Sequence, residues 1–321
     1  MANQKVQEIK QGLKLPVIMA PMFLVSNPKM VLEACKSGII GSFPALNART
    51  DDILDQWMQE INQELAEFEK DNPGIAGPWA VNFVAHRTNK RYKEDLALIE
   101  KHQPPIVITS LGDPGPIAEV VHAYGGLVFS DVVNSKFAKK AIEKGSDGLI
   151  LVASGAGGHG GDLNPIAFLH EVKTFWDGPV VLAGGMSKGE DVLAAEIIGA
   201  DFVYMGTRFI PSEESTAYDE YKEMVLEAKA EDILYTDVFT GVNANYLIPS
   251  IERAGIDVEA IKNNEKLDLS DIKVWKDVWG AGQGVGAVNK IQPVSEIVQE
   301  LKDSYEDAIS DIINKQKIVQ S

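Results

Sequence analysis

The sequence contains little cysteine and no long hydrophobic run. Its single cysteine, Cys35, cannot form an internal disulfide and excludes a zinc site built from cysteines. No apolar stretch approaches the roughly 20 residues that cross a bilayer. Residues 1–16 lack the apolar core of a secretory signal. We therefore expect a cytoplasmic protein that does not associate with a membrane.

Basic residues are scarce relative to acidic ones. The chain has 30 Lys and Arg against 47 Asp and Glu, a formal charge of −17. Nucleic-acid binding needs clustered basic side chains that neutralise phosphates, so we do not expect it here. The acidic residues are spread along the chain, which is typical of a solvated surface. The sequence is compatible with a homodimer and leaves the oligomeric state open.

Short apolar runs rich in β-forming residues recur along the first two thirds of the chain. The chain has 321 residues, of which 45% are hydrophobic, which is enough for a sizeable core in one large or two ordinary domains. The runs are continuously apolar, as is typical of strands covered on both faces. Eight strands are predicted, at 17–20, 39–43, 79–84, 106–110, 127–130, 148–153, 179–183 and 202–205.

The segments between these strands have helical periodicity. Residues 29–36, 51–72, 135–144 and 189–198 are examples, and three of the four end before a glycine. Eight β–α repeats are compatible with a closed barrel or with a doubly wound open sheet. An open sheet would leave exposed edges, so we predict a (β/α)₈ TIM barrel of the α/β class.

The pattern changes after residue 212. We predict one helix over 213–230, mixed structure over 235–248 and another helix over 249–262. A glycine-rich turn at 280–286 precedes a final amphipathic helix over about 293–314. The sequence therefore predicts a barrel formed by 1–212 and 287–321, with a mainly helical appendage, 213–286, beside the barrel mouth.

Functional residues of such a barrel lie at the carboxyl ends of its strands. Ala20, Pro21 and Met22 come at the end of the first strand. Pro21 fixes the backbone and has no N–H, and neighbouring backbone groups could face a planar ligand. Asn82 is a polar residue inside the third strand. Its amide is either satisfied by neighbouring backbone or bonded to the edge of a heterocycle. Thr109 with Ser110, and Ser130 with Asp131, are weaker signals after strands four and five.

The segment after the sixth strand carries the strongest signal. Residues 154–161 read SGAGGHGG, and glycines are favoured where backbone approaches a ligand or adopts a positive φ. His159 is the titratable group of this loop and can exchange a proton near neutral pH. A lone histidine is often structural, but its place on a glycine loop at a strand end favours catalysis.

Two glycine-bearing turns follow the last two strands. Gly184 and Gly185 come after the seventh strand, and Gly206 and Thr207 come after the eighth. Loops at these positions form the phosphate site of many barrels, although ordinary connecting turns have the same composition. No GxGxxG motif follows the first strand and no GxxxxGKS or GxxxxGKT motif occurs, so neither a nucleotide-binding fold nor a P-loop is supported. No motif indicates a metal site.

With these motifs the chain resembles the nitronate monooxygenase family, formerly the 2-nitropropane dioxygenases. These are FMN-dependent barrel enzymes related to the flavin-containing enoyl-ACP reductases. The combination of GGH, AGG and MGTRF is specific for the family but not for the substrate of one member. In family order, the matching segments are PVIMAPM at 16–22, GAGGHGG at 155–161, LAGGM at 182–186, GADFVYMGTRF at 199–209 and GAGQGVG at 280–286.

The resemblance implies the positions that contact FMN. Its phosphate would lie on the two glycine-bearing turns, its ring would pack on the backbone after the first strand, and His159 would face the substrate. In one departure, Asp131 stands where some relatives carry a lysine, and a carboxylate cannot replace that positive donor. The implied contact residues are Ala20, Pro21, Met22, Asn82, Asp131, Gly158, Gly184, Gly185, Gly206 and Thr207.

The resemblance also implies a reaction. An alkyl nitronate, or a nitroalkane deprotonated by His159, would react with O₂ to give a carbonyl compound and nitrite. One alternative keeps the flavin in an NAD(P)H-dependent reductase of a quinone or an enoyl thioester. Another is a barrel that binds a phosphorylated metabolite without redox chemistry.

Overall fold

The structure is a closed barrel of parallel strands surrounded by helices. The computed structural model describes residues 2–86, 88–265 and 267–320. Within them the barrel strands are β1 (Val17–Met19), β2 (Gly41–Pro44), β3 (Trp79–Val84), β4 (Ile106–Ser110), β5 (Leu127–Val132), β6 (Gly148–Val152), β7 (Val180–Ala183) and β8 (Phe202–Met205).

Backbone hydrogen bonds close the barrel. Each strand from β2 to β8 pairs in parallel with the next, and β8 pairs with β1 in the register Val203 opposite Val17. Next to β2, the amide of Met19 donates to the carbonyl of Ile40 at 2.8 Å, and the amide of Ile40 donates to the carbonyl of Val17 at 3.0 Å. These bonds join β1 to the start of β2, so the sheet has no open edge. The predicted (β/α)₈ fold is confirmed.

Two apolar layers explain why the strands are apolar throughout. Ile18, Ile108 and Ile150 belong to the cluster that fills the barrel, whereas Val17 and Val107 belong to the cluster between strands and helices. Alternate residues of a strand face opposite sides, and both sides are covered here.

Helices pack around the barrel, and Val6 of the first helix joins the cluster that fills its interior. The helices that precede or follow the barrel strands are α1 (Ala2–Gly12), α2 (Pro28–Lys36), α3 (Asp51–Asp71), α4 (Tyr92–His102), α5 (Gly115–Ala123), α6 (Ser135–Glu143), α7 (Pro165–Lys173) and α8 (Gly189–Ile197). The C-terminal part adds α9 (Asp219–Glu227), α10 (Ile248–Arg253), α11 (Val258–Lys262) and α12 (Val294–Gln320). Short 3₁₀ helices lie at Ala45–Asn47, Thr207–Phe209, Ala230–Asp232 and Gln283–Ala287.

The segment 213–286, which we call the appended segment, contains strands as well as helices. Strands β9 (Ile233–Thr236) and β10 (Ala244–Leu247) form an antiparallel hairpin. Strand β10 also pairs with the two-residue strand Gly158–His159 of the loop after β6, which gives a three-stranded sheet. The hairpin thus connects the appended segment to the glycine loop of the barrel.

Two helix predictions in the appended segment are too long. Helix α9 begins at Asp219 rather than at 213, because Glu214 accepts hydrogen bonds from the backbone of Val294 and Ser215 donates to the carbonyl of Ile210. The helix predicted over 249–262 is interrupted between α10 and α11, where Gly255 has a φ of +78°. Side chains that bond to distant backbone set the first boundary, and a glycine sets the second.

Helix α12 returns to the barrel and packs against α8 and α2. Arg208, which follows β8, is buried and donates to Glu300 of α12 at 2.5 Å. This ion pair fixes α12 beside the turn that follows β8. None of the helices in the described parts of the chain combines the length and apolar composition of a bilayer-crossing segment.

A substitution at Gly189, the first residue of α8, would test the packing of α12 against α8. A Cβ at this position would overlap the carbonyl of Leu301 and the amide of Tyr305. We expect Gly189→Ala to lower the free energy of unfolding by about 1–3 kcal/mol through overpacking. Gly12→Ala is the control, since its added methyl group would have no atom within 4 Å. It should leave stability unchanged or raise it by up to about 1 kcal/mol. Equal effects in urea unfolding would contradict this packing.

Candidate functional site

A large cavity lies at the carboxyl ends of the barrel strands. Its volume is 1330 Å³, above the roughly 300–1,000 Å³ of a pocket for one small molecule. The structure brings all eleven site residues predicted from the sequence to its wall: Ala20, Pro21, Met22, Asn82, Asp131, Gly158, His159, Gly184, Gly185, Gly206 and Thr207.

The turn after β7 depends on its glycines. Gly184 and Gly185 have φ values of +123° and +71°, a region that side chains rarely adopt. A Cβ on Gly184 would also lie 2.5 Å from the carbonyl oxygen of Ser154. Gly206 differs, because its φ is −106° and its Cβ would meet Met22 and Ala20 at ordinary contact distances. Close backbone packing therefore requires Gly184 but not Gly206.

The glycine-rich turn 280–286 forms part of the same wall. The amide of Gly282 donates to Thr207 Oγ1 at 2.8 Å, and the amide of Gln283 donates to the carbonyl of Gly155 at 2.9 Å. A Cβ on Gly282 would lie 2.5 Å from that same Gly155 oxygen. The turn thus packs backbone against backbone on the loops after β6 and β8.

This contact also orients the hydroxyl of Thr207. Its oxygen accepts the Gly282 amide, and within the described chain its hydrogen has no acceptor, so it can donate to a group in the cavity. Hydroxyl and backbone donors beside glycine turns are the chemistry that binds a phosphate.

A chain of polar side chains crosses β3, β4 and β5. Asn82 Nδ2 donates to the carbonyl of Ile108 at 3.2 Å and to Ser110 Oγ at 2.6 Å. Ser110 Oγ in turn donates to Asp131 Oδ2 at 2.5 Å. The amide donors of Asn82 are therefore satisfied within the protein, which leaves its carbonyl oxygen as the group available to a ligand.

Two buried polar atoms beside this chain have no partner among the described residues. They are Asp131 Oδ1 and the hydroxyl of Tyr204 in β8. Burial raises the pKa of Asp131 to about 6, and the Ser110 hydrogen bond opposes this rise. Burial and the nearby charge of Asp131 raise the pKa of Tyr204 well above its ordinary value. Unpartnered buried groups on a cavity wall indicate a place for a polar ligand.

His159 is held by the appended segment. The backbone of His159 pairs with Ala244 of β10, and its Nε2 lies 3.0 Å from Thr240 Oγ1. The rings of His159 and Trp275 pack edge-to-face, with 5.3 Å between their centroids. Burial lowers the pKa of His159, so the ring is neutral near pH 7.

The bonds of Thr240 determine which nitrogen of His159 carries the hydrogen. Thr240 Oγ1 donates to the carbonyl of Val242 at 3.0 Å, so its oxygen accepts from His159. On this hydrogen-bond assignment Nε2 carries the hydrogen and Nδ1 carries the lone pair. Within the described chain, Nδ1 has no hydrogen-bond partner, which leaves it available as a base.

The sequence did not identify the residues that support His159. Thr240 and Trp275 lie in irregular parts of the appended segment, and only the folded chain brings them to the glycine loop. Tyr204 was also missed, although its hydroxyl lies inside an apolar strand, which is the signal that identified Asn82. Among the described residues no group of three or more His, Cys, Asp or Glu side chains is placed to hold a metal ion.

Comparisons with known proteins indicate the family of the chain. A family model described as nitronate monooxygenase matches residues 5–303. A nitronate monooxygenase of Neurospora crassa is 25% identical, with 93% of this chain and 91% of that protein covered. A (3aS,4S,5R,7aS)-5-hydroxy-7a-methyl-1-oxo-octahydro-1H-indene-4-carboxyl-CoA dehydrogenase of Rhodococcus jostii is 27% identical, covering 76% of this chain and 67% of that protein.

A solved structure supports the fold. FabK from Thermotoga maritima superposes with a TM-score of 0.79 at 22% identity, covering 97% of this chain and 98% of that one. At this identity the likeness establishes the fold alone.

The environment of His159 can be tested by NMR. We expect its pKa to lie below the ordinary value near 6.5, because burial disfavours the charged ring. Trp275→Ala opens one side of the ring to water and should raise that pKa toward 6.5. Ile166→Ala, an exposed residue outside the cavity, is the control and should leave it unchanged. A His159 pKa above 6.5 in the unaltered protein would contradict the described burial.

Proposed function

Because the chain belongs to the nitronate monooxygenase family, and is therefore an oxidoreductase, we propose that it binds FMN and oxidises alkyl nitronates with O₂. The products would be a carbonyl compound and nitrite. The observation that carries the proposal is the position of a neutral histidine, His159, on the wall of the cavity, with its Nδ1 unpartnered among the described residues. The same cavity is lined by the turns that contain Gly184, Gly185, Gly206 and Thr207, which we call the phosphate corner.

The residues of the cavity fit FMN. Its phosphate would lie at Gly184, Gly185, Gly206 and Thr207, where glycines allow close approach and the Thr207 hydroxyl can donate. Its ring would pack against the backbone of 20–22 and meet polar partners at Asn82 and Asp131, with Gly158 on the adjoining wall. The 1330 Å³ cavity leaves space for a substrate beside such a cofactor.

FMN would supply the electron chemistry and the reaction with O₂. The role that this chain supplies itself is proton transfer by His159. A neutral ring with a free Nδ1 can accept the α-proton of a nitroalkane. The resulting imidazolium can then hold the nitronate anion by a charge-assisted hydrogen bond. Thr240 keeps the hydrogen on Nε2, so the lone pair stays on the nitrogen that is free.

A hydrophobic wall lies beside His159. Trp275, Tyr235 and Val242 line this part of the cavity, and further out Leu111 and Phe137 are exposed at its rim, each 49% accessible. Such a surface favours substrates with an apolar organic group.

An FMN-dependent reductase of an enoyl thioester is the second candidate. The Rhodococcus jostii relative is named for a CoA ester, and the apolar rim could accept an acyl chain. Anaerobic mixing separates the two candidates. Rapid bleaching of the flavin by NADH or NADPH would favour a reductase. Slow bleaching, together with fast oxygen uptake on a nitronate in a separate aerobic assay, would favour the monooxygenase reaction.

Replacing His159 tests its role. The purified protein should be yellow, and His159→Asn should keep its flavin but lower turnover of a nitroalkane by about 10²- to 10⁴-fold. Thr240→Val should cause a smaller loss, about 2- to 10-fold, since it removes one hydrogen bond that orients the ring. Turnover in the unaltered enzyme should fall as pH drops through the pKa of His159. A fully active His159→Asn enzyme would exclude this role.

The turn 280–286 provides a matched pair of variants for cofactor binding. Gly282→Ala forces apart the backbone at Gly155 and should raise the dissociation constant of FMN by about 5- to 100-fold. Gly286→Ala is the control, because its added methyl group would have no neighbour within 4 Å. Fluorescence titration of the apoprotein with FMN gives both constants, and equal constants would argue against a role of this turn in holding the loops that bind FMN.

A further inference from the structure

Asp131 is a buried carboxyl group without a compensating cation in the described structure. It lies in β5, with Oδ2 accepting from Ser110 and with Oδ1 unpartnered among the described residues. The influences on its pKa are burial and the Ser110 bond, with no contribution from a cation. A buried acid of this kind is costly to keep ionised, and the residue lies on the wall of the cavity.

We propose that Asp131 and Tyr204 contact the polar edge of the flavin ring, and that Asp131 takes up a proton when the flavin is reduced. The inference rests on the FMN binding proposed above and assigns a role to the position where this chain departs from its relatives. It makes Asp131 a positioning and proton-coupling residue rather than a substitute for the lysine.

The strand order supports the contact. The phosphate corner lies after β7 and β8, and the closed order β1–β8–β7–β6–β5–β4–β3–β2 places β3 to β5 across the barrel mouth from β8. A flavin anchored at that corner and extending over the mouth would lie over the wall that carries Asn82, Ser110 and Asp131. Tyr204 lies on β8, but it is near enough to Asp131 for the charge of that carboxyl group to raise its pKa. The pyrimidine edge of a flavin has both hydrogen-bond donors and acceptors, which match Asp131 Oδ1 and the Tyr204 hydroxyl, both unpartnered among the described residues.

Charge explains the proton uptake. Reduction by two electrons and one proton leaves one negative charge on the flavin, and a like charge nearby favours the neutral form of a carboxyl group. Of the cations on the cavity wall, Lys144 is paired with Asp113 at 3.2 Å, and Lys140 lies on α6. The titratable groups that line the cavity with Asp131 are Asp113, Lys140, Glu143, Lys144, His159, Asp162, Tyr204, Tyr221 and Tyr235.

The balanced half-reaction consumes two electrons and two protons. One proton is bound by the flavin and one by Asp131, which becomes a neutral acid able to donate a hydrogen bond to the ring. Because the two groups interact, the second proton belongs to the pair and its apparent pKa is a property of both. The substrate supplies the electrons in turnover, and dithionite can supply them in the test.

The test is the pH dependence of the flavin midpoint potential in the holoenzyme between pH 7 and 9. A tenfold change in proton concentration shifts a two-electron potential by about 30 mV for each proton. The unaltered protein should therefore show a slope of about 60 mV per pH unit, and Asp131→Asn about 30 mV per pH unit. Asp113→Asn is the control, because it removes a carboxylate of the cavity wall that is already paired with Lys144. It should keep the slope of about 60 mV per pH unit, which we call the two-proton slope.

Binding measurements separate this inference from the proposed function. The dissociation constant of FMN for Asp131→Asn should lie within about threefold of that for the unaltered protein, since the isosteric amide keeps the Ser110 contact. Tyr204→Phe should bind FMN severalfold more weakly but keep the slope of about 60 mV per pH unit. A one-proton slope in the unaltered protein, with normal FMN binding, would overturn this inference alone. An unaltered protein that binds no FMN would overturn it together with the proposed function.

Discussion

The site depends on the close approach of glycine backbones from three loops. The carbonyl of Gly155 accepts hydrogen bonds from the amide of Gln283 at 2.9 Å and from the amide of Gly185 at 3.3 Å. A side chain on Gly184 or Gly282 would separate these loops. The loop that carries His159, the turn after β7 and the turn 280–286 are therefore held in one arrangement. This contact fixes the distance between the phosphate corner and the histidine.

The barrel and the appended segment make different contributions. The barrel places loop ends around one mouth, as the geometry of closed parallel strands requires. The appended segment then orients the side chain that matters most for the proposed proton transfer. Its strand β10 pairs with Gly158–His159, Asn245 Nδ2 donates to the carbonyl of Ala156 at 2.6 Å, and Thr240 Oγ1 lies 3.0 Å from His159 Nε2. The appended segment is thus part of the site, although the division of the chain into two parts stays a proposal.

Much of the fold could be predicted because its determinants are local. The strands are continuously apolar, and glycines such as Gly145 and Gly199, both with positive φ, end the preceding helices. The position of site residues at strand ends follows from the barrel geometry. The boundaries of α9 and the support of His159 could not be predicted, because they depend on contacts such as Thr240 with His159, 81 residues apart in sequence. No local pattern encodes such a pairing.

The most direct test of the central claim is a crystal structure of the protein purified with its own cofactor. The account predicts density for FMN in the cavity, with its phosphate within hydrogen-bond distance of the backbone at Gly184 and of the Thr207 hydroxyl. It also predicts that Nδ1 of His159 faces the space above the flavin ring. Flavin density at another site, or a phosphate far from both glycine turns, would contradict it.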